Sequence, residues 1–200
     1  MALLLLFFLF LLPSGQKEKT YLVTKVLDGD TIVLQGGEVV RYAGLDAPEL
    51  DAKEGPEFFA REALSFNKRL VFLKKVRLEF DKELRDAHGR LLAYVFVNDT
   101  FVNAELIRLG YARAAPKPPN EKYKDLFLQL QKKAMEEKIG LWQKEKEDTE
   151  AFYIGNKSSR VFHRPSCPYG QKISGRNRII FRSRKDAIDI GYTPCRQCRP

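Results

Sequence analysis

The sequence predicts an α+β fold, in which a small five-stranded β-barrel with three helices is followed by a small metal-bound C-terminal domain. Three observations support this prediction. Five short segments rich in apolar and β-branched residues are separated by turn residues, which is typical of strands. Three longer segments repeat apolar residues at helical spacing. The three cysteines all lie near the end of the chain, at positions 167, 195 and 198.

Two turns separate the first three predicted strands, which lie at residues 21–27, 31–35 and 39–45. Asp28-Gly29 forms the first turn and Gly36-Gly37 the second. The stretch VLDGDTIVL also places Asp30 directly after the first turn, at the start of the second strand. Asp28 alone is sufficient for a turn, so Asp30 requires another explanation.

The remaining elements are a helix at residues 56–72, strands at 76–80 and 91–97, and helices at 101–109 and 121–138. Pro56 is expected to open the first helix, because proline suits the first helical turn, and Gly110 is expected to end the second. Short strands with inserted and appended helices are typical of an OB-type β-barrel. We therefore predict an OB-type domain at residues 20–143, a charged linker at 144–151 and a separate small domain at 152–200.

Residues 1–15 contain an unbroken apolar run from Ala2 to Leu12. A run of this length is too short for a helix that spans a bilayer, but it suits the core of a signal peptide. No Lys or Arg precedes it, and Pro13-Ser14-Gly15 is a poor match to a cleavage site. The prediction is export, to a secreted, periplasmic or cell-surface location; a buried N-terminal helix and a short anchor are the alternatives.

The formal net charge of +9 is concentrated in the last quarter of the chain. Residues 151–200 contain eleven Lys and Arg against two Asp, whereas acidic and basic residues balance in the rest. Such a segment is a candidate for binding a polyanion, although a solvated basic face has the same composition.

Seven charged residues of the first domain occupy positions where a barrel does not require charge. They are Asp28, Asp30, Arg41, Asp46, Glu49, Asp86 and Arg90. Together they fit phosphodiester hydrolysis: paired carboxylates can hold a hard cation such as Ca²⁺, a Glu can take a proton from water, and two guanidinium groups can neutralise phosphoryl charge. Each residue alone has an ordinary structural explanation, such as a turn or a solvated side chain.

From Thr20 to Trp142 the chain resembles the staphylococcal nuclease (thermonuclease) family. The resemblance rests on the stretches VLDGDTIVL, RYAGLDAPE, DAHGRLLAYVFV, VNAELIRLGYA and GLW, in this order. It implies an OB barrel with three helices. It also implies an endonuclease that hydrolyses DNA and RNA with Ca²⁺ and leaves 3′-phosphate products.

The resemblance also implies a role for each matching position. The Ca²⁺ ligands would be the side chains of Asp30 and Asp46 and the backbone carbonyl of Ala47. The catalytic residues would be Arg41, Glu49 and Arg90, with Glu49 as general base and the arginines as phosphate ligands. Asp28 would make the turn and support the site, which would explain why Asp30 follows it.

Two stretches depart from the family pattern. LDAKEGPE, after Glu49, is shorter than the mobile loop of the founding enzyme. ARAAPKPPN lacks the tyrosines that stack on the nucleotide in that enzyme. Loss of a stacking platform would weaken binding by about 1–3 kcal/mol per base. We expect the basic C-terminal domain to compensate.

Four residues of the basic tail are spaced as two pairs of metal ligands, His163-x3-Cys167 and Cys195-x2-Cys198. This composition suits a closed tetrahedral zinc site, and so small a domain needs such a constraint to be stable. The alternative is a Cys195–Cys198 disulfide that leaves Cys167 free. Zinc is the preferred prediction because a disulfide explains neither the odd cysteine nor His163.

The segment 152–200 also resembles the Ada-type metal-binding domain, through YIGNKSSRVFHRPSCPYGQKI and NRIIFRSRKDAIDIGYTPCRQCRP. In that family four cysteines bind zinc, and the first accepts a methyl group from a DNA phosphotriester. His163 stands in the place of that cysteine, so the resemblance implies a structural Zn²⁺ module that binds DNA rather than a methyl acceptor. Three aromatic residues of the tail are expected in its core: Tyr169, Phe181 and Tyr192.

Together these observations predict a calcium-dependent nuclease with a zinc-stabilised, nucleic-acid-binding tail. Its partners are expected to be DNA, RNA or both, and no feature of the sequence points to a protein partner, so a monomer is expected. The main alternative is a non-catalytic nucleic-acid-binding protein that uses both domains for attachment. A methyl-accepting repair protein is a third possibility, weakened by His163.

Overall fold

The computed structural model describes residues 19–52, 55–144 and 147–200. The apolar run at residues 2–12 lies outside this part of the chain, as do two residues of the predicted linker, so export remains a prediction. In the described residues, no helix has both the length and the apolar character needed to cross a membrane.

The first part of the chain forms the barrel and its helices. Its strands are β1 (Thr20–Val26), β2 (Thr31–Leu34), β3 (Val39–Tyr42), β4 (Leu45–Asp46), β5 (Lys75–Glu79), β6 (Leu91–Val97), β7 (Thr100–Phe101) and β8 (Arg113–Ala114). Its helices are α1 (Ala60–Val71), α2 (Val102–Arg108) and α3 (Lys124–Glu136), followed by a 3-10 turn at Gly140–Gln143.

Five of these strands close into the predicted barrel. They are ordered β3-β2-β1-β5-β6, and each neighbour pairs antiparallel. A parallel pairing between β3 and β6 closes the ring, with Arg41 opposite Leu92. The five-stranded OB-type barrel with three helices is therefore confirmed. The third strand, predicted at residues 39–45, is divided into β3 and β4, and the two-residue strands β7 and β8 were not predicted, because such short pairings carry no periodic signal.

The first helix begins later than the sequence predicts. Pro56 was expected to open it, but α1 begins at Ala60. Phe59, directly before the helix, has a φ of 71°, in the left-handed region, so the helix cannot extend back through it. The end of α2 agrees better with prediction: Gly110 has a positive φ, and its N–H donates to the carbonyl of Ile107.

Helix α1 holds the turn that carries the candidate metal ligands. The buried Asn67 of α1 donates through Nδ2 to the carbonyl of Asp28 at 3.0 Å. Its Oδ1 accepts a hydrogen bond from the Tyr42 hydroxyl at 2.9 Å. Strand, turn and helix are thereby joined through one buried amide, which fixes the backbone at Asp28-Gly29-Asp30.

The same turn has no room for a side chain at Gly29. A Cβ there would lie 2.7 Å from Cβ of Ala47 and 2.9 Å from Cβ of Ala63. We expect Gly29→Ala to lower the free energy of unfolding by about 1–3 kcal/mol, as overpacked sites do, measured by urea denaturation. Gly175→Ala is the control, since a Cβ there meets no atom within 4 Å. Equal stability of the two variants would contradict the tight packing at Gly29.

The basic tail forms a second, smaller sheet. Its strands are β9 (Tyr153–Asn156), β10 (Val161–His163), β11 (Arg178–Phe181) and β12 (Thr193–Pro194), in the order β11-β9-β10-β12. Its short helices are α4 (Pro168–Gln171) and α5 (Arg184–Asp189). The residues packed at its centre are Tyr153, Phe162, Phe181, Ala187, Ile188 and Tyr192. We call residues 152–200 the tail module below.

The tail module packs directly on the barrel domain. Met135 and Trp142 contact the hydrophobic core of the module. The buried Gln131 of α3 donates through Nε2 to the carbonyl of Ile188 at 2.9 Å, and its Oε1 accepts the N–H of Ala114, also at 2.9 Å. Both polar ends of this buried amide are therefore satisfied, one by the barrel domain and one by the tail module, so Gln131 links the two parts.

Candidate nuclease site

The two acids that flank Gly29 have different surroundings. Asp28 Oδ1 accepts the backbone N–H of Asp30 at 2.8 Å, which is the side-chain hydrogen bond of an Asx turn. Asp30 is fully buried; its Oδ2 accepts the N–H of Ala47 at 2.7 Å and its Oδ1 accepts the Thr31 hydroxyl at 3.0 Å. Asp28 therefore makes the turn, and Asp30 is held with its carboxylate against the segment that carries Asp46.

Arg41 joins the two candidate calcium ligands. Its Nη1 forms an ion pair with Asp30, and its Nη2 lies 2.9 Å from Oδ1 of Asp46. Burial raises the pKa of the Asp30 carboxyl well above its ordinary value, although Arg41 acts in the opposite direction. Burial would lower the pKa of Arg41, but the neighbouring acids outweigh burial and raise it, so the guanidinium stays charged.

The donor set at this position fits a hard divalent cation. A single guanidinium spans both carboxylates, so Asp30 and Asp46 are close enough to share one ion, and carboxylate oxygens are ligands that Ca²⁺ prefers. Asp28 adds a third acid nearby. The N–H of Ala47 contacts Asp30, while metal binding by its carbonyl remains a prediction.

Glu49 and Arg90 come from two further segments. The backbone N–H of Glu49 donates to Oε2 of Glu57 at 3.0 Å, which fixes the chain after Asp46. Burial raises the pKa of the Glu49 carboxyl above its ordinary value, with Arg196 acting in the opposite direction. Arg90 is oriented by Asp86, whose Oδ2 accepts its Nε–H at 2.7 Å. The DAHGR loop thus contains an arginine and the acid that positions it.

The predicted residues converge on one cleft of about 900 Å³. Its barrel side is lined by Asp28, Arg41, Asp46, Glu49 and Arg90. Asp30 lies beneath this surface, in contact with Arg41. Asp46, the part-exposed carboxylate of Glu49 and two guanidinium groups therefore share one solvent-accessible space, with the buried Asp30 directly behind Arg41. Such an arrangement can bind a phosphodiester and activate water beside it.

One residue of this cleft was missed by sequence reasoning. Arg196, in the tail module, lies 2.7 Å through Nη2 from Oδ1 of Asp46, and its Nη1 forms an ion pair with Glu49. Its position between Cys195 and Cys198 was a possible signal, because a residue inside a ligand pair has a fixed backbone. Nothing local in the sequence indicated contact with acids about 150 residues away.

The four predicted zinc ligands meet in the tail module. Nδ1 or Nε2 of His163 and the Sγ atoms of Cys167, Cys195 and Cys198 all lie within 4.8 Å of one another. A tetrahedral zinc site with bonds of about 2.3 Å places sulfur atoms roughly 3.8 Å apart. Burial raises the pKa of the Cys167 thiol, but hydrogen bonds with the Gly170 N–H, the Cys198 side chain and the Tyr169 N–H together outweigh burial and lower it. This cluster could bind zinc, and a disulfide would not require His163 at the same point.

The three aromatic residues of the tail do not share one environment. Phe181 and Tyr192 are buried, as predicted. The prediction for Tyr169 was wrong: its side chain is 61% exposed. Tyr169 follows Pro168 at the start of α4, and it lines the cleft rather than the core. Two other aromatic residues, Tyr153 and Phe162, lie in the core of the module, and the sequence analysis did not predict them there.

Comparison with known proteins agrees with both parts of the structure. Residues 39–144 match the family model described as staphylococcal nuclease homologue, and residues 141–200 match the metal-binding domain of Ada. The thermonuclease of Staphylococcus intermedius is 40% identical over 130 residues, which cover 63% of this chain and 77% of that protein. The thermonuclease of Staphylococcus hyicus is 38% identical over 133 residues, covering 64% and 79%.

A similar match comes from a different genus. Endonuclease YncB of Bacillus subtilis (strain 168) is 40% identical over 139 residues, which cover 66% of each chain. The family model matches more than half of the chain, and the matched residues include strands β3 to β8, the three helices and the parallel β3–β6 pairing that closes the barrel. This chain belongs to the staphylococcal nuclease family and carries a C-terminal segment that matches the metal-binding domain of Ada.

Proposed function

We propose that this protein is a calcium-dependent endonuclease that hydrolyses phosphodiester bonds of DNA and RNA and leaves 3′-phosphate products. The observation that carries the proposal is the convergence of three residues of the stretch 41–49, Arg41, Asp46 and Glu49, with Arg90 of the DAHGR loop on one open cleft. The similarity to two thermonucleases and to an endonuclease supports the same activity.

The residues of the cleft have distinct roles in this proposal. Ca²⁺, when bound by Asp30 and Asp46, supplies a Lewis acid for the phosphate. Glu49 takes the proton from the attacking water, because its carboxylate is part-exposed in the cleft and its backbone is fixed through Glu57. Arg41 and Arg90 stabilise the negative charge that develops on the phosphoryl oxygens.

The tail module has a structural and a binding role in the same proposal. Zn²⁺ bound by His163 and the three cysteines would hold the small sheet together. The excess of basic residues in this module suits contact with nucleic-acid phosphates. We also propose that the protein acts as an exported monomer. The apolar run at residues 2–12 supports export.

The purified chain is expected to release acid-soluble nucleotide from denatured DNA only when Ca²⁺ is present. Removing calcium with a chelator should stop the release, because Asp30 and Asp46 then lack the ion that polarises the phosphate. Asp46→Asn should also lose the stimulation by calcium, since the variant loses one anionic ligand. The measurement is the initial rate during a calcium titration.

Asp99→Asn is the matched control, because Asp99 is exposed and lies outside the cleft. It should respond to calcium as the unmodified chain does. DNA that is bound but not cleaved at any calcium concentration would contradict the proposal. That result would favour the non-catalytic nucleic-acid-binding protein.

A further inference from the structure

The cleft has a second wall that the proposed chemistry does not use. Besides the barrel residues, the cleft is lined by the tail module, including Tyr169, Ile173, Thr193 and Arg196. We propose that this wall is a subsite for single-stranded nucleic acid, in which Arg196 binds a phosphate and Tyr169 stacks on a base. The proposal deepens the proposed nuclease function and rests on it.

The backbone around Arg196 is fixed by the small sheet and by the ligand cluster. Cys195 donates its N–H to the carbonyl of Phe162 at 2.9 Å, next to the pairing of β12 with β10. Arg199 donates its N–H to the carbonyl of Cys195 at 2.8 Å, which closes a tight turn. The residues on both sides of this turn belong to the four-ligand cluster. The module therefore holds Arg196 as a rigid projection into the cleft.

The guanidinium of Arg196 lies beside two of the residues proposed for phosphodiester cleavage. It contacts Asp46 and Glu49, which are a proposed metal ligand and the proposed general base. Half of its side chain is exposed, so donors remain accessible from the cleft. A planar guanidinium binds a phosphodiester with the same paired geometry that it uses for a carboxylate. Nucleic acid can therefore replace the two acids as its partner.

Tyr169 supplies an aromatic surface that the barrel does not. Tyr169 is 61% exposed and lines the same cleft, two residues after the candidate ligand Cys167. The stretch ARAAPKPPN, where the family resemblance would place stacking tyrosines, has no aromatic residue. An exposed ring beside a cationic group suits an unpaired base, because any base can stack on an aromatic face. The tail module would thus provide the surface for base stacking that the barrel domain lacks.

A different role for Arg196 would be to block the two acids and inhibit the enzyme. The charge of the module argues for substrate binding instead. The whole module carries eleven basic residues against two acidic ones, so it attracts a polyanion, which then competes with the two acids for the Arg196 guanidinium. The two roles predict opposite effects when the side chain is removed.

The test is the affinity of the full chain for fluorescein-labelled oligo(dT), measured by fluorescence anisotropy in Ca²⁺. The Glu49→Gln chain is used as the parent so that the DNA stays intact. Arg196→Ala in this parent should raise Kd about tenfold or more, because a charged hydrogen-bonding partner of phosphate is lost. The slope of log Kd against log salt should also fall by about 0.7, as expected for one lost phosphate contact on a single strand.

Two further comparisons separate stacking from general charge. Tyr169→Ala should raise Kd by roughly 5- to 150-fold without a change in salt slope, and Tyr169→Phe should bind as the parent does. Arg182→Ala is the charge-matched control, because Arg182 is an exposed arginine of the same module that does not line the cleft. Its Kd and salt slope should match those of the parent.

The subsite requires both the phosphate contact and the stacking contact. Parent-like binding by either Arg196→Ala or Tyr169→Ala would therefore overturn it. Tighter binding by Arg196→Ala, or faster hydrolysis when this change is made with Glu49 intact, would overturn it in favour of inhibition. Hydrolysis by the unmodified chain is measured in parallel. If that chain fails to cleave while the variants lose affinity, the nuclease proposal fails and the subsite stands.

Discussion

Glu49→Gln is expected to reduce the turnover of DNA by about two to four orders of magnitude, the range that a positioned general base contributes. The amide keeps the shape of the side chain but cannot take a proton from water. The backbone of Glu49 is held through its N–H to Glu57, which the substitution leaves in place. The measurement is the rate of nucleotide release at saturating DNA and calcium.

The same variant should keep its fold. The Glu49 side chain is part-exposed, and its ion pair with Arg196 contributes little to stability because that arginine is half exposed. Its thermal unfolding should therefore follow that of the unmodified chain. Glu62→Gln is the control, since Glu62 is an exposed residue of α1 and does not line the cleft. Full turnover in a folded Glu49→Gln chain would end the assignment of Glu49 as base.

Cys198→Ser is expected to have the largest effect on stability. A structural zinc site contributes on the order of 10–16 kcal/mol to the folding of a small domain, and the tail module has only a short sheet and a small core besides its ligand cluster. The Sγ of Cys198 also accepts the N–H of Arg164 at 3.4 Å, a contact that suits a thiolate held by metal. Loss of this ligand should lower the zinc content and unfold the module at a lower temperature than the barrel.

The experiment combines zinc analysis with thermal unfolding. The unmodified chain should contain one zinc ion per molecule, and a strong zinc chelator should reproduce the effect of Cys198→Ser. Ser166→Ala is the control, because Ser166 is exposed beside the ligand Cys167. Two results together would contradict a structural metal site: no zinc in the unmodified chain, and the same thermal unfolding for the unmodified chain and for Cys198→Ser. Since Arg196 lies between two candidate ligands, Cys195 and Cys198, DNA affinity should fall together with zinc content.

The packing of the tail module on the barrel limits what a truncation can show about the function of the module. Removing residues 151–200 would expose Gln131, whose side chain is buried and donates to Ile188. It would also uncover Trp142, which packs on the core of the module. Truncation would therefore change the stability of the barrel as well as the affinity for nucleic acid. Single substitutions at the cleft isolate the function of the tail from its packing.

Local chemistry explains most of what the sequence predicted. The Asp28-Gly29 turn depends on residues within a few positions, and the structure shows the hydrogen bond from Asp30 that the turn requires. The two ligand pairs at His163 and Cys195 are also local, because each pair has a spacing that suits one metal ion. Periodicity predicted the five barrel strands and placed the helices to within a few residues of their ends. The start of α1 was wrong because a left-handed residue, Phe59, has no signature in composition.

The sequence by itself determined the barrel, the acids and arginines proposed for catalysis and the four candidate zinc ligands, since short-range spacing and family motifs carry that information. Only the tertiary structure decided that Arg41 spans Asp30 and Asp46 and that Tyr169 faces the cleft. It alone placed Arg196 of the tail against Asp46 and Glu49. The physical reason is that these contacts join segments far apart in the chain. They exist because Gln131, Met135 and Trp142 hold the tail module on the barrel in one orientation, and no local pattern encodes that packing.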